Sequence, residues 1–109
     1  MPLPGDVVLV DFVGATGVKR RPTVVISSDT YHAHRPDVIV SVLTTQLGLA
    51  RSPTDYVLQD WAAAGLHAPS AFRVYISTRL AGDADVVGHL SERDWQGVQV
   101  RLQLALAGP

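Results

Sequence analysis

The sequence predicts a mainly β fold, a small and strongly bent barrel of five or six short strands carrying one C-terminal helix. Three observations carry this. Apolar runs rich in valine and isoleucine, each of strand length, recur between glycine, proline and polar turns. Sustained helical spacing occurs only in the last stretch of the chain. And 109 residues without a cysteine suit one domain, large enough to bury a core without disulfides or a structural metal.

The elements follow in order. Gly5-Asp6 leads into Val7-Val8-Leu9-Val10-Asp11-Phe12, a first strand, and Val13 to Lys19, with Gly14 and Gly17, reads as a flexible loop. A second strand begins near Pro22 and runs through Thr23-Val24-Val25-Ile26. Proline is tolerated at a strand's first residue, where no ladder hydrogen bond need be lost, and it pushes Arg21 towards extended geometry. Ser28-Asp29 can cap a short helical turn through Tyr31 to His34, which Pro36 ends. Val38-Ile39-Val40-Ser41-Val42-Leu43 is a third strand and closes on Thr44-Thr45-Gln46. Leu47 to Pro53 is a loop, Thr54 to Leu58 a short strand, Gln59 to Ser70 a longer connection, and Ala71 to Ile76 another strand.

The C-terminal helix has the clearest signature. Ser91 is its N-cap, Asp94 stands three residues on in a near capping box, and Leu90 can staple against Trp95. Trp95, Val98, Leu102, Ala105 and Leu106 recur at helical spacing and form the stripe that packs on the sheet. Val100 and Leu104 form a second, partial apolar row, more than one sheet face needs, and suited to a dimer interface.

Composition narrows the function. The absence of cysteine excludes disulfide scaffolds, zinc-thiolate sites and cysteine nucleophiles, and is compatible with a reducing cytoplasm. The first residues carry no basic region and lead into a strand, so neither a signal peptide nor a membrane span is expected. A formal net charge of -1 argues against non-specific gripping of duplex DNA, which calls for a basic excess, yet permits a local basic patch facing a short single-stranded target. Lys19-Arg20-Arg21-Pro22 is such a cluster. If the strands that begin there and end at Thr44-Thr45-Gln46 are neighbours, an always-charged guanidinium and several hydroxyl and amide groups converge at the sheet's rim. That combination suits a phosphodiester.

Four segments in register carry a family resemblance: Gly5-Asp6-Val7-Val8-Leu9-Val10-Asp11-Phe12, Arg21-Pro22-Thr23-Val24-Val25-Ile26-Ser27-Ser28-Asp29, Leu43-Thr44-Thr45-Gln46, and Gly88-His89-Leu90-Ser91 before a helix. Together they resemble the MazF/PemK toxins over nearly the whole chain. The resemblance implies an SH3-like barrel of the CcdB/PemK type with a C-terminal helix. It also implies a homodimer that cuts single-stranded RNA at a short sequence without metal or other cofactor, leaving 2′,3′-cyclic phosphate and 5′-hydroxyl ends. A cognate antitoxin with an acidic, otherwise disordered tail would hold it inactive. The family's catalytic arginine, directly before the proline, falls on Arg21, and its catalytic threonine at the end of the third strand on Thr44.

The chemistry of these residue types agrees. RNA can be cut by its own 2′-hydroxyl attacking the adjacent phosphorus, so the protein must orient, neutralise and move protons. A guanidinium offers forked donors to two phosphoryl oxygens, and a threonine hydroxyl adds a short donor where charge accumulates. Because an arginine pKa above about 12 leaves little neutral form near pH 7, Arg21 is assigned charge stabilisation first and acid/base work second.

Plainer readings stand beside these. Arg21 can instead be a rim arginine in a weak surface pair with Asp11, Asp29 or Asp37, and Thr44 an ordinary strand end, with Thr45 the alternative if the register slips by one. Lys19, Arg20 and Gln46 are candidates for RNA contacts, and Phe12 or Tyr31 for base stacking, although Phe12 also suits a core anchor and Lys19-Arg20 a solvated loop. His32 and His34 with Asp37 have metal-ligand types but lack a further ligand, and either histidine near Arg21 could act as a base. His89 reads as structural and His67 as solvated. Between Ser70 and Gly88 the chain departs from the family pattern, with Arg73, Tyr75 and Ser77-Thr78-Arg79 in a slightly shortened stretch. Arg73 and Arg79 could contact phosphate, but pairing with Asp83 and Asp85 is the expectation. The alternative from another class is a non-catalytic barrel of the same fold acting on a protein, like the gyrase poison CcdB, although the ending Leu106-Ala107-Gly108-Pro109 shows no counterpart to that group's C-terminus.

Overall fold

Adjacent valines in the strands project to opposite sides, and both sides are buried. This governs the architecture seen in a computed structural model, which describes residues 1–108. Six strands, β1 (Asp6–Gly14), β2 (Gly17–Val25), β3 (Asp37–Thr44), β4 (Tyr56–Val57), β5 (Ala71–Leu80) and β6 (Asp85–His89), form one sheet in the order β4-β5-β3-β2-β1-β6. Every pairing is antiparallel. The sheet is curled into a half-barrel. Val7, Val24, Leu43 and Phe72 pack with Leu58 and Ala64 of the β4–β5 connection, with Leu90, and with Val98 of the C-terminal helix α2 (Glu92–Ala105). Val8, Val10, Val25, Val38 and Val40 form a second core on the opposite side with Ala84. The mainly β fold with a C-terminal helix is thus as the sequence predicts.

Several boundaries differ. Val13 to Lys19 is not a loop: β1 and β2 continue through it as a hairpin with Val13 opposite Val18 and Gly14 opposite Gly17. The hairpin projects past the core, exposed on both faces, so it lacks the alternation that marks a half-buried strand. β4 shrinks to Tyr56–Val57 because Ser52 to Asp55 closes a turn, with the Ser52 N–H donating to Asp55 Oδ2 at 3.0 Å. β5 runs on to Leu80. β6 escapes the sequence reading because Val86 and Val87 lie exposed at the sheet's edge. The short helix α1 (Asp29–His34) is capped by Ser28 as expected, its Oγ accepting from the Tyr31 N–H.

On α2 the core stripe ends at Leu102, since Ala105 and Leu106 are exposed beyond the sheet. The expected second row, Val100 and Leu104, is uncovered as well, at 47% and 62% exposure. Asp94 departs from the capping-box pattern. Ser91 Oγ accepts from the Asp94 N–H, but the carboxylate is fully buried and turns to the 59–70 connection. There it accepts from Tyr56 Oη (2.8 Å), the Gln59 N–H (3.0 Å) and the Asp60 N–H (2.8 Å). Next to it Arg93 binds Asp60 through two nitrogens, and that pairing, followed by the Ser91 hydroxyl, holds the Asp60 carboxyl at a pKa of about 2.

Two of the motifs form one joint. His89 Nδ1 lies 2.7 Å from Asp6 Oδ1, and the Leu90 N–H donates to the Gly5 carbonyl at 2.9 Å. A side chain at Gly88 has no room, because its Cβ would meet the Ala64 carbonyl oxygen at 2.0 Å, and Gly65 on the facing loop adopts a φ of +85°. His89 is therefore structural, as read from the sequence.

Candidate active site

The antiparallel register brings Arg21 and Thr44 to one end and one face of the β2–β3 pair. Thr23 opposes Val42, and the next residues on that face, two positions outward along each strand, are Arg21 and Thr44. Pro22, which has no N–H to give, lies between Arg21 and the last paired residue, Thr23, and the two strands part there. Arg21 is held instead by its pairing with Val10 on β1. Among the described residues its side chain makes no ion pair or hydrogen bond, and two of the acids considered for it are taken by other partners. Asp11 pairs with Arg20 at 2.8 Å, and Asp37 binds the Tyr31 hydroxyl and Arg35. The Thr44 hydroxyl accepts from the Gln46 N–H at 3.1 Å, which fixes its oxygen and leaves its proton available for donation.

Arg21 borders two adjoining hollows on this face. One, of about 250 Å³, is lined by Phe12, Arg21, Val42, Arg73 and Tyr75. The other, of about 240 Å³, runs under the hairpin and includes Phe12 and Lys19. The remaining candidates separate from this site. Thr45 and Arg20 border a hollow of about 600 Å³ with Leu9, Pro22 and Leu66, which does not include Arg21. Arg20 is clamped between Asp11 and Asp85, and hydrogen bonding to Asp11, then Asp85, raises its pKa above the ordinary value. The ion-pair reading considered for Arg21 therefore belongs to Arg20. Gln46 serves by its backbone, ahead of the one-turn 3-10 helix Leu47–Leu49, and its side chain is exposed.

Phe12 is half-buried against the core of Val8, Val10 and Val25, with the Arg79 guanidinium 4.9 Å from its ring centroid. The expected pairing of Arg73 and Arg79 with Asp83 and Asp85 does not occur. Arg73 lies 3.9 Å from Asp55, and Arg79 donates to the carbonyls of Thr78 and Asp11 while sharing a hollow with Asp83 and Asp85. His32 is 2.5 Å from Ser27 Oγ and His34 3.0 Å from the Thr30 carbonyl, and no three metal-ligating side chains cluster among the described residues.

The profile of the family described as PemK-like, MazF-like toxin of type II toxin-antitoxin system matches residues 3–106. The chain belongs to that family. Among solved structures, this PemK/MazF-like toxin is similar to an endoribonuclease in complex with its cognate antitoxin from a mycobacterial species, at 21% identity, TM-score 0.75 and full coverage of both chains. It is similar to a MazE-MazF structure from Deinococcus radiodurans at 16% identity and TM-score 0.73, covering 99% of this chain and 97% of the other. It is also similar to the Mycobacterium tuberculosis toxin MazF-mt6 at 22% identity and TM-score 0.69, covering 92% and 94%. No curated protein sequence matches significantly. No helix among the described residues is long and apolar enough to cross a membrane.

For this toxin the sequence alone favours an ion pair for Arg73 and gives Tyr75 no role, yet both line the pocket. From Ser41 to Leu43 β3 advances two residues while β5 advances four, from Phe72 to Ile76, so β5 bulges. The buried Ser41 hydroxyl bridges the gap, donating to the Arg73 carbonyl at 2.6 Å and accepting from the Tyr75 N–H at 2.9 Å. The bulge delivers Arg73 and Tyr75 to the Arg21 pocket while Phe72 and Val74 face the core. The available signal was the alternation itself: core residues at 72 and 74, and large polar or aromatic ones at 73 and 75, in the stretch that departs from the family pattern.

Proposed function

We propose that this chain is a metal-independent endoribonuclease toxin that cuts single-stranded RNA at a short sequence, with Arg21 and Thr44 acting on the scissile phosphate. The observation that carries the reading is an arginine without a counterion among the described residues, on the same face and end of adjacent strands as a threonine hydroxyl, bordering an open groove. In the reaction the 2′-oxygen attacks phosphorus as it loses its proton, the bond from phosphorus to the 5′-oxygen breaks, and the departing oxygen gains a proton. The nucleophile belongs to the substrate, so no metal-bound water is required. The Arg21 fork binds the two non-bridging oxygens, whose charge grows in the transition state, and the Thr44 hydroxyl donates a further hydrogen bond. Lys19 extends the positive groove along the backbone.

The same groove suits an antitoxin tail whose acidic side chains supply the counterions that Arg21 lacks, folding as it binds. The uncovered Val100 and Leu104 suit burial against a second copy. Purified protein is expected to cut a long defined single-stranded RNA at full rate in EDTA, leaving 2′,3′-cyclic phosphate and 5′-hydroxyl ends. Primer extension together with end-specific labelling reads both. Cleavage that stops when divalent ions are chelated, or that leaves 5′-phosphate ends, would exclude this chemistry.

A further inference from the structure

We infer that the pocket between Tyr75, Phe12, Val42 and Arg73 is a nucleobase subsite, in which a base next to the cut phosphate stacks on Tyr75. This rests on the proposed RNA cleavage and goes beyond it by naming where sequence is read. Tyr75 is 65% exposed, although it projects from the middle of a ten-residue strand. Among the described residues its ring makes no aromatic, cation-π or hydroxyl contact, in contrast to Tyr31, bound to Asp37 and Arg35, and Tyr56, bound to Asp94. An unpartnered aromatic face beside an unneutralised arginine is the combination that single-stranded nucleic acid occupies, since every base has a π-face and every linkage a charge.

Neighbouring residues define the subsite. Val42 and Phe12 supply apolar walls, but one face of Phe12 is already covered by Arg79, which leaves Tyr75 as the open platform. Arg73, held only at 3.9 Å by Asp55, lines the same pocket with donors suited to carbonyl or ring-nitrogen acceptors on a base edge. The platform is rigid because the buried Ser41 hydroxyl ties the backbone on either side of the bulge. Arg21 borders the pocket, so a base seated there belongs to a nucleotide flanking the scissile bond.

The test uses an oligoribonucleotide spanning a mapped cut site, with a 2′-deoxy nucleotide at the scissile position to block cleavage, and measures binding by fluorescence anisotropy. Tyr75→Ala is expected to weaken binding by about 5- to 150-fold. One abasic position in the oligonucleotide should cost the wild type the same factor, and combining the two should cost no more than either alone. Tyr75→Phe should bind within about twofold of wild type, because stacking does not need the hydroxyl. On cleavable RNA, Tyr75→Ala should raise KM with little change in kcat and relax the base preference at that one position. The subsite is overturned if Tyr75→Ala binds as wild type does, or if its loss multiplies with the abasic loss at every position. Wild-type protein that neither binds nor cuts RNA removes the nuclease reading and the subsite together. Wild type that cuts, with Arg21→Ala inactive and Tyr75→Ala unaffected, removes the subsite alone.

Discussion

Replacing Arg21 with alanine is expected to lower the rate of RNA cleavage by at least about a hundredfold, the usual cost of removing one preorganised donor from a developing oxyanion. The melting temperature should stay within a few degrees of wild type, because the Arg21 side chain is exposed and makes no ion pair or hydrogen bond among the described residues. Arg21→Lys keeps the charge but loses the fork, and should recover only part of the rate. Single-turnover cleavage at saturating enzyme separates this loss from weaker binding. An alanine variant that cuts at the wild-type rate would remove Arg21 from the mechanism.

Asp94→Ala is expected to produce the largest loss of stability. The carboxylate is fully buried and accepts from Tyr56 Oη and from the backbone N–H groups of Gln59 and Asp60. Each donor left without a partner typically costs about 1–3 kcal/mol. Losing three acts against a total stability that for such domains is about 5–15 kcal/mol. Thermal unfolding should therefore fall by more than about 10 °C, and the 59–70 connection should exchange its amides faster. Asp94→Asn, which keeps the shape and one acceptor oxygen, should fall less. Gly97 belongs to the same joint, since a Cβ there would stand 2.4 Å from the Tyr56 ring. A melting temperature unchanged in Asp94→Ala would mean that the connection is held by other contacts.

What could be read from the sequence followed from local chemistry with a single outcome. Ser28 and Ser91 announced their helices because a capping hydroxyl has a fixed place relative to the N–H groups it accepts from. The valine-rich runs announced β1, β2 and β3, although continuous apolarity does not say which valine faces which core. Arg21 and Thr44 come from the family's motif, and their placement at one end and one face of the β2–β3 pair depends on register, which here is carried by the Thr23–Val42 pairing. What stayed hidden arose from contacts distant in the chain. Asp94 looks like half of a capping box until its partners at Tyr56, Gln59 and Asp60 are known. Arg20 and Arg21 are chemically alike in sequence, and only strand alternation gives one to Asp11 and Asp85 and leaves the other open. The β5 bulge has no glycine to mark it, and depends on Ser41 from another strand.

A double-mutant cycle on the cleavage rate tests most directly whether Arg21 and Thr44 serve one phosphoryl group. Rates are measured for wild type, Arg21→Ala, Thr44→Ala and the double variant on one defined RNA, at saturating enzyme. Residues that act as a unit on the same transition state lose their effect together, so the double variant should be slower than Arg21→Ala by no more than about threefold. Losses that multiply in full, or a Thr44→Ala variant as fast as wild type, would contradict a shared site.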